Sequence, residues 1–158
     1  MMVRKATKND VRIIAGLAVL LWDHPSADEL ADEFSEILSQ EDAQVFLKYA
    51  ADTPVGFAQC QLRHDYVEGT ETTPVGYLEG IFVMEGHRRR GYAKELLNAC
   101  ESWAKEKGCT EFASDCELDN QDSFRFHMAM DFAEANRIIC FTKRLQRLVD
   151  RGKKEERP

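Results

Sequence analysis

"LEGIFVMEGHRRRGYAKELL", residues 78–97, joins an apolar strand, a turn with three consecutive arginines and the start of a helix. From Tyr92 the apolar residues recur at helical spacing as far as Gly108, a residue typical of the left-handed end of a helix. A strand, turn and helix in this order point free backbone N–H groups and the positive end of the helix dipole at an anion. The stretch therefore predicts a site for a phosphate or pyrophosphate group.

Two common phosphate-binding motifs do not fit this turn. Gly86 and Gly91 bracket four residues as in a Walker A loop, but Tyr92 and Ala93 stand where Lys and Ser or Thr are needed. The dinucleotide pattern G-x-G-x-x-G is absent, and the preceding residues predict an antiparallel hairpin instead of a βαβ unit. Kinase, NTPase and dinucleotide-binding functions are therefore excluded.

The flanking residues predict a mixed, largely antiparallel sheet flanked by helices, in the α/β (α+β) class. Upstream, hydrophobic periodicity, the caps Thr7 and Ser26, and turn residues predict a strand at 3–7, a helix at 11–21, a second helix after 26, and strands at 43–50, 55–64 and 75–83. Downstream they predict a short strand at 109–115, a helix at 120–130 and a final strand or bent pair of strands at 133–145. We expect one domain over residues 1–145 and a charged extension over 146–158.

The charge balance of the sequence indicates which kinds of molecule the protein binds. The 158 residues include 28 Asp and Glu against 21 Lys and Arg, a formal net charge of −7. This balance argues against a nucleic-acid surface and favours cationic partners or substrates. The longest apolar run, Ile13 to Leu21, is shorter than the roughly 20 residues that a membrane span needs. We expect a cytoplasmic protein that spans no membrane.

Cysteine and histidine give no sign of covalent or metal chemistry. Five cysteines are an odd count without a C-x-x-C pair, which favours reduced, buried thiols over disulfides or a zinc site. Cys116 follows Asp115, whose charge disfavours the thiolate that a nucleophile requires. The four histidines lack metal-ligand spacing. We therefore predict no metal and no acyl-enzyme.

The turn also carries the pattern R-x-x-G-x-A, here Arg88 to Ala93. This pattern resembles motif A of the GNAT acetyltransferases, and the predicted order of elements over about residues 2–145 is similar to the order in that family. Three longer stretches, "LRHDYVEGTETTPVGYLEGIFV", "KGCTEFASDCELDN" and "NRIICFTKRL", resemble the aminoglycoside 6'-N-acetyltransferases of a dimeric branch. The resemblance implies the GNAT fold, acetyl-CoA as cosubstrate with its pyrophosphate at the arginine turn, and an aminoglycoside as acceptor.

The resemblance also implies site residues by position. On the coenzyme side they are Ile81, Phe82, Val83, Arg89, Arg90, Gly91, Tyr92, Ala93, Lys94 and Asn120. On the acceptor side they are Trp22, His24, Tyr66, Glu79, Asp115 and Asn136. Two positions depart from the family pattern: His127 stands where many members have a tyrosine acid, and Asn136 stands where some relatives carry a glutamate.

Glu79 is the predicted catalytic residue. An amine attacks a thioester only as the free base, so the site needs a proton acceptor. Glu79 interrupts an apolar strand, where a buried carboxylate needs either a partner or a task, and a structural ion pair is the alternative to catalysis. Gly80 predicts a bulge or the close approach of a ligand backbone, and an N–H group near Ile81 is placed to stabilise an oxyanion.

Other functions keep the same coenzyme site. A GNAT enzyme acting on a polyamine or a protein amine has the same turn, and a non-catalytic acetyl-CoA sensor binds coenzyme without using an acceptor. The apolar stretch "RIICFTKRL" is able to pair across a subunit boundary, as this region does in related enzymes, so we expect a homodimer.

Overall fold

The computed structural model describes residues 2–23 and 26–148. In chain order the elements are β1 (Met2–Lys5), a 3-10 turn (Lys8–Asp10), α1 (Val11–Leu21), α2 (Ala27–Leu38), β2 (Ala43–Ala50), β3 (Thr53–Arg63), β4 (Val75–Val83), a second 3-10 turn (Glu85–His87), α3 (Tyr92–Glu106), β5 (Phe112–Ala113) and α4 (Gln121–Ala129). The predicted order of strands and helices is confirmed as far as α4.

The five strands form one sheet in the order β1-β2-β3-β4-β5, so strands that follow each other in sequence are also neighbours in space. The first three pairings are antiparallel, and β4 pairs with β5 in parallel. The sheet is thus mixed and largely antiparallel, as the sequence predicts. The parallel pair is the shortest, with only two residues of each strand in register.

The predicted capping residues are confirmed, with Thr7 at the start of the 3-10 turn that leads into α1 and Ser26 at the start of α2. Thr7 and Asp10 form a capping box, in which the Asp10 carboxylate accepts a hydrogen bond from the Thr7 N–H at 2.8 Å. Arg4 also donates to Asp10, and this hydrogen bond, followed by those from Thr7, lowers the pKa of Asp10 to about 2 against the opposing effect of burial. Ser26 caps α2 by accepting a hydrogen bond from the Glu29 N–H at 3.1 Å.

Helices cover both faces of the sheet. On one face α3 buries a stripe of residues at helical spacing, namely Leu96, Leu97, Cys100, Trp103 and Ala104. On the other face α1 and α2 pack around Phe34 and Phe57, whose rings meet edge to face at 6.1 Å between centroids. Because both faces are occupied, ligands have access chiefly to the ends and the edge of the sheet.

A β-bulge interrupts the pairing of β3 with β4. Gln59 faces Gly80 and Cys60 faces Leu78, so Glu79 has no partner in the register. The extra residue reverses the alternation of β4, and Leu78 and Ile81 therefore pack on the α3 face while Phe82 packs on the opposite face. The bulge predicted from Gly80 is confirmed, and Glu79 is the residue that it leaves unpaired.

Of the predictions for the C-terminal third, the short strand is confirmed over fewer residues and the final strand is wrong. The strand predicted at 109–115 is reduced to Phe112–Ala113, and residues 133–147 form no strand within the described chain. The segment's large apolar side chains are mostly exposed, at Ile138, Ile139, Phe141 and Leu145. A strand needs a partner with free backbone groups, and the described part of this single chain pairs none with the segment. Residues 149–158, most of the predicted extension, lie outside the described residues.

The expectation of buried thiols holds for three cysteines of five. Cys60, Cys100 and Cys109 are buried and unpaired by disulfides, whereas Cys116 and Cys140 are exposed because they lie in the irregular C-terminal third. Among residues 2–23 and 26–148, no helix has the length and apolar character to cross a membrane, and no cluster of His, Cys, Asp and Glu is arranged to hold a metal ion.

Candidate active site

The arginine turn leads into α3 with its backbone donors uncapped. Gly91, the residue before the helix, has φ +81°, and no side chain forms a cap hydrogen bond there. Arg89 also has a positive φ, of 63°. A Cβ atom added at Gly91 meets nothing within 4 Å, so the space in front of the helix is open. The first N–H groups of α3 are thus available to an anion, as the sequence predicts.

The three arginines of the turn are not equivalent. Arg88 Nε donates a 2.8 Å hydrogen bond to the Val83 carbonyl, and its guanidinium lies 5.7 Å from the centre of the Phe82 ring. Arg88 therefore ties the turn to the end of β4. Arg89 and Arg90 are exposed, and these two are the arginines predicted to contact the coenzyme.

A buried lysine supports the same turn from beneath. The Lys48 side chain on β2 is 0% exposed, and its Nζ lies 3.1 Å from Glu95 Oε1 and 4.5 Å from the centre of the Tyr92 ring. Tyr92 and Glu95 both belong to the first turn of α3. The ion pair and the cation–π contact therefore fix the start of α3 on the sheet.

The sheet opens beside the turn. β4 and β5 pair only at Gly76 with Phe112 and at Tyr77 with Ala113. After Tyr77, β4 still pairs with β3, but on its β5 side it has no strand partner in the described chain. This unpaired part of β4 includes Ile81, Phe82 and Val83. The segment after β5 leads to Asn120, which caps α4 by accepting a 3.1 Å hydrogen bond from the Ser123 N–H. Three of the predicted coenzyme residues, Ile81, Phe82 and Val83, thus lie on β4 beyond the point where its pairing with β5 ends.

His127 lies where this opening begins. Its Nδ1 is 2.7 Å from the Ser123 carbonyl oxygen, and its Nε2 is 2.8 Å from Ser114 Oγ. Because a carbonyl only accepts hydrogen bonds, Nδ1 carries a proton, and in the neutral ring Nε2 accepts from the Ser114 hydroxyl. Ser114 follows β5 directly, so this histidine fastens α4 to the point where the strands separate.

A groove of about 520 Å³ lies on the β3 side of Glu79. Its lining consists of Gln61, Leu62, Arg63, His64, Asp65, Tyr66 and Glu79. The groove brings the predicted acceptor residues Tyr66 and Glu79 together, and the Tyr66 side chain is exposed to it. Its size and polar lining suit a hydrophilic small molecule.

Glu79 has an ion-pair partner that the sequence does not reveal. Arg63 Nη2 lies 2.9 Å from Oε1 and 3.0 Å from Oε2 of Glu79, and Arg63 Nε lies 3.1 Å from Oε2. The Arg63 guanidinium also stacks on the Tyr77 ring, 3.4 Å from its centre, and the Tyr77 hydroxyl donates to Asp115. The structural ion pair considered as an alternative for Glu79 is present, and it joins the two predicted acidic residues in one network.

The surroundings of Arg63 and Tyr77 raise the pKa values of both side chains. Burial lowers the pKa of Arg63, but the hydrogen bonds and charge of Glu79, with smaller contributions from Tyr77 and Asp115, outweigh it and raise that pKa overall. Burial first, and then the hydrogen bond to Asp115, raise the pKa of the Tyr77 hydroxyl. Arg63 is therefore charged and Tyr77 neutral over the physiological pH range.

Gly80 is needed for packing within the protein. A Cβ atom there would lie 2.5 Å from Trp22, whose indole covers the backbone of the bulge. The group that approaches Gly80 is the Trp22 side chain, whereas the sequence predicted a ligand backbone there; Trp22 also contacts Phe34 and Phe57. Trp22 is half-buried and lies next to the residue that follows Glu79.

Known proteins that are similar to this chain identify its family. Residues 12–132 match the family model described as acetyltransferase (GNAT) family. The chain belongs to the GNAT family. It is 41% identical over 143 residues to the aminoglycoside N(6')-acetyltransferase type 1 of Salmonella enteritidis, with 90% of this chain and 98% of that protein covered. It is 37% identical over 145 residues to the enzyme of the same name from Acinetobacter haemolyticus, with 92% and 99% covered.

Solved GNAT structures agree with this fold. AAC(6')-Iy in complex with the bisubstrate analog CoA-S-monomethyl-acetylneamine matches with a TM-score of 0.87 and 38% identity, covering 91% of this chain and 98% of that chain. The apo form of aminoglycoside 6'-N-acetyltransferase AAC(6')-IG from Acinetobacter haemolyticus also matches with a TM-score of 0.87, at 36% identity and 92% and 100% coverage. The predicted GNAT fold is confirmed.

The remaining acceptor positions of this GNAT chain are less closely grouped. Asp115 is connected to Glu79 through Tyr77 and Arg63. Asn136 lies in the exposed C-terminal segment and donates a 2.6 Å hydrogen bond to Glu68. His24 lies outside the described residues.

The sequence prediction omitted Arg63 and Tyr77. The available signal was the placement of Tyr77 and Glu79 two residues apart on one strand, which puts both side chains on one face.

Proposed function

We propose that the protein transfers the acetyl group of acetyl-CoA directly to the 6'-amine of aminoglycoside antibiotics in a ternary complex. The proposal rests chiefly on two features of one stretch of chain: Glu79 on β4 lines a polar groove, and the helix that follows β4 begins with uncapped N–H groups. The chain is also about 40% identical, over nine-tenths of its length, to enzymes named for this reaction. A cytoplasmic location suits its five free cysteines.

The coenzyme side fits acetyl-CoA, which supplies the reactive acetyl thioester when bound. The unobstructed space at Gly91 and the uncapped N–H groups of α3 fit a pyrophosphate. In this proposal residues 89–94 hold the phosphates of the coenzyme. The unpaired edge of β4, at Ile81, Phe82 and Val83, holds the extended arm of the coenzyme together with Asn120.

The acceptor side binds and deprotonates the amine. Glu79 Oε2 makes two contacts with Arg63 and Oε1 makes one, so Oε1 keeps more lone-pair capacity for the amine proton. Asp115 adds a second negative charge that attracts a polycation. Tyr66 and Trp22 offer aromatic surface to a sugar ring, and Asn136 and His24 are assigned to the acceptor by family resemblance.

An acceptor panel with detection of free thiol tests this function. Purified protein and acetyl-CoA are incubated with kanamycin, spermidine and a peptide amine, and thiol release is followed over time. Release with kanamycin is the expected result. Release only with spermidine or the peptide would establish another GNAT acceptor, and coenzyme binding without release in any arm would indicate an acetyl-CoA sensor.

The coenzyme turn should depend more on backbone conformation than on one arginine. Gly91→Val places a β-branched residue at φ +81°, which costs at least about 1–2 kcal/mol and fills the space before α3. We expect coenzyme A to bind roughly tenfold more weakly or worse. Arg89→Ala removes one exposed charge and should cost about 1 kcal/mol or less. Calorimetric titration compares the two, and the reverse order of effects would contradict this account of the turn.

A homodimer is proposed to cover the C-terminal segment. Ile138, Ile139, Phe141, Leu145 and Leu148 are between 65% and 87% exposed in the single chain. So many large apolar side chains in one short segment are unusual for a free surface. A partner subunit would bury them and supply the strand pairing that the described chain lacks.

Light scattering should give twice the mass of one chain at micromolar concentration. Phe141→Asp places a charge in the proposed interface and should shift the protein toward monomer. Leu20→Asp makes the same kind of change at an exposed apolar residue on α1 and should leave the dimer intact. A wild-type monomer would remove the dimer proposal and leave the coenzyme site unaffected.

A further inference from the structure

The cation closest to the proposed catalytic carboxylate belongs to the protein. Arg63 approaches Glu79 through three N···O contacts of 2.9, 3.0 and 3.1 Å. Both residues line the groove that is proposed to receive the acceptor. The Glu79 side chain is 21% exposed and the Arg63 side chain 40%, so the pair is only partly hydrated. A charge-assisted, forked pair of this kind is stronger than an ordinary surface ion pair.

Two further groups hold the guanidinium in place. It lies flat on the Tyr77 ring at 3.4 Å, and the Tyr77 hydroxyl donates to Asp115. Arg63 is therefore connected to Glu79 directly and to Asp115 through one ring. Glu79, Asp115 and Arg63 together carry a formal charge of −1, so the arginine halves the negative charge presented to a polycation.

The ammonium group of an acceptor and the Arg63 guanidinium group need the same lone pairs of the Glu79 carboxylate. A carboxylate offers about four acceptor sites, and the three contacts with Arg63 leave roughly one of them. A protonated amine brings up to three donors of its own. The two cations cannot both be fully paired with Glu79. Because Arg63 is at the end of β3 and 40% exposed, its side chain has space on the groove side.

We propose that Arg63 occupies Glu79 in the free enzyme and gives up this position to the amine of the bound acceptor. The proposal rests on the acceptor function proposed above and adds a specificity-determining residue to it. Arg63 therefore weakens the binding of every acceptor, because the acceptor must displace the guanidinium group before its amine can pair with Glu79. A ligand that lacks a cationic amine leaves the ion pair intact. Glu79 keeps a cationic partner while the groove is empty, which avoids an uncompensated charge beside the proposed thioester site.

The test is the affinity for kanamycin in the presence of coenzyme A, measured by calorimetry. Arg63→Met keeps the length of the side chain and removes the competing cation, so it should tighten binding roughly ten- to one-hundredfold, the equivalent of one charge-assisted hydrogen bond. Arg63→Lys keeps the charge without the fork and should show a smaller gain. Arg12→Met removes an exposed arginine from the far end of α1 and should change the affinity less than threefold.

A double-mutant cycle separates competition from general electrostatics. In a Glu79→Gln background, Arg63→Met should lose most of its effect, because the carboxylate contested by the two cations is gone. Weaker or unchanged kanamycin binding by a folded Arg63→Met variant would overturn the proposal and make Arg63 a support for Glu79. If wild-type enzyme releases no thiol with kanamycin, the acceptor assignment fails instead, which the panel above detects independently.

A spectroscopic measurement on the wild-type protein covers the case in which Arg63→Met does not fold. The Arg63 Nε–H resonance is identified by its absence from the spectrum of Arg63→Lys. Saturating kanamycin with coenzyme A should shift this resonance and speed its exchange with water, as its hydrogen bond to Glu79 is lost. An unchanged resonance at saturation would show that the ion pair persists and would overturn the exchange.

Discussion

Glu79→Gln is expected to lower kcat by a factor of about 10²–10⁴, the usual contribution of a positioned proton acceptor. Glutamine keeps the size of the side chain and its place in the bulge, so the loss reports on the carboxylate charge. The amine reaches the site mostly protonated at neutral pH, and a neutral amide takes up no proton from it. Steady-state kinetics with kanamycin and acetyl-CoA at pH 7 measures the effect.

Asp115→Asn is the matched control for this change. It removes an equal charge from the same network but at a residue that is linked to Glu79 only through Tyr77 and Arg63. We expect it chiefly to raise KM, as is usual when the ground state and the transition state lose the same contact. Raising the pH supplies more free amine and should partly rescue Glu79→Gln without specifically rescuing Asp115→Asn. Full kcat in Glu79→Gln at neutral pH would make Glu79 a binding or structural residue.

Glu95→Ala is expected to lower the free energy of unfolding by about 3–5 kcal/mol, the cost of breaking a buried ion pair by removing one partner. The Lys48 side chain is 0% exposed, so without Glu95 its ammonium group has no water to compensate it. The contact with the Tyr92 ring remains but is worth only about 0.5–2 kcal/mol. Urea unfolding measures the change, which is a large fraction of the stability of an ordinary domain.

Lys48→Met separates the burial of charge from the loss of packing. Methionine fills similar space without an ammonium group, and Glu95, with 38% of its side chain exposed, can be hydrated when it loses its partner. We therefore expect Lys48→Met to be close to neutral in stability, and Lys48→Met combined with Glu95→Ala to be more stable than Glu95→Ala alone. Equal losses in Lys48→Met and Glu95→Ala would show that packing at the start of α3, and not the buried charge, determines the stability.

The C-terminal segment shows how an apolar pattern alone fails to define a strand. "RIICFTKRL" has the composition of a strand, yet residues 133–147 pair with no strand of the described chain. A strand is completed by hydrogen bonds to a neighbour, and which chain supplies that neighbour is not encoded in the pattern. The short β5 is likewise not predictable from its own residues, because His127 contacts Ser114 just after β5 and the two residues are 13 positions apart.

The sequence by itself determined the elements whose signals are local. The boundaries of α1 and β4, the caps at Thr7 and Ser26, the left-handed Gly108 and the start of α3 after the arginine turn each follow from a few neighbouring residues. Only the tertiary structure decided the partner of Glu79, the role of Gly80 beneath Trp22, and the burial of Lys48 against Glu95. These contacts join residues that are 16 to 58 positions apart, and they depend on strand register, on one extra residue in β4 and on helix packing. A one-residue slip in register would point each side chain to the other face of the sheet, and so the chemistry of the site is a property of the assembled sheet.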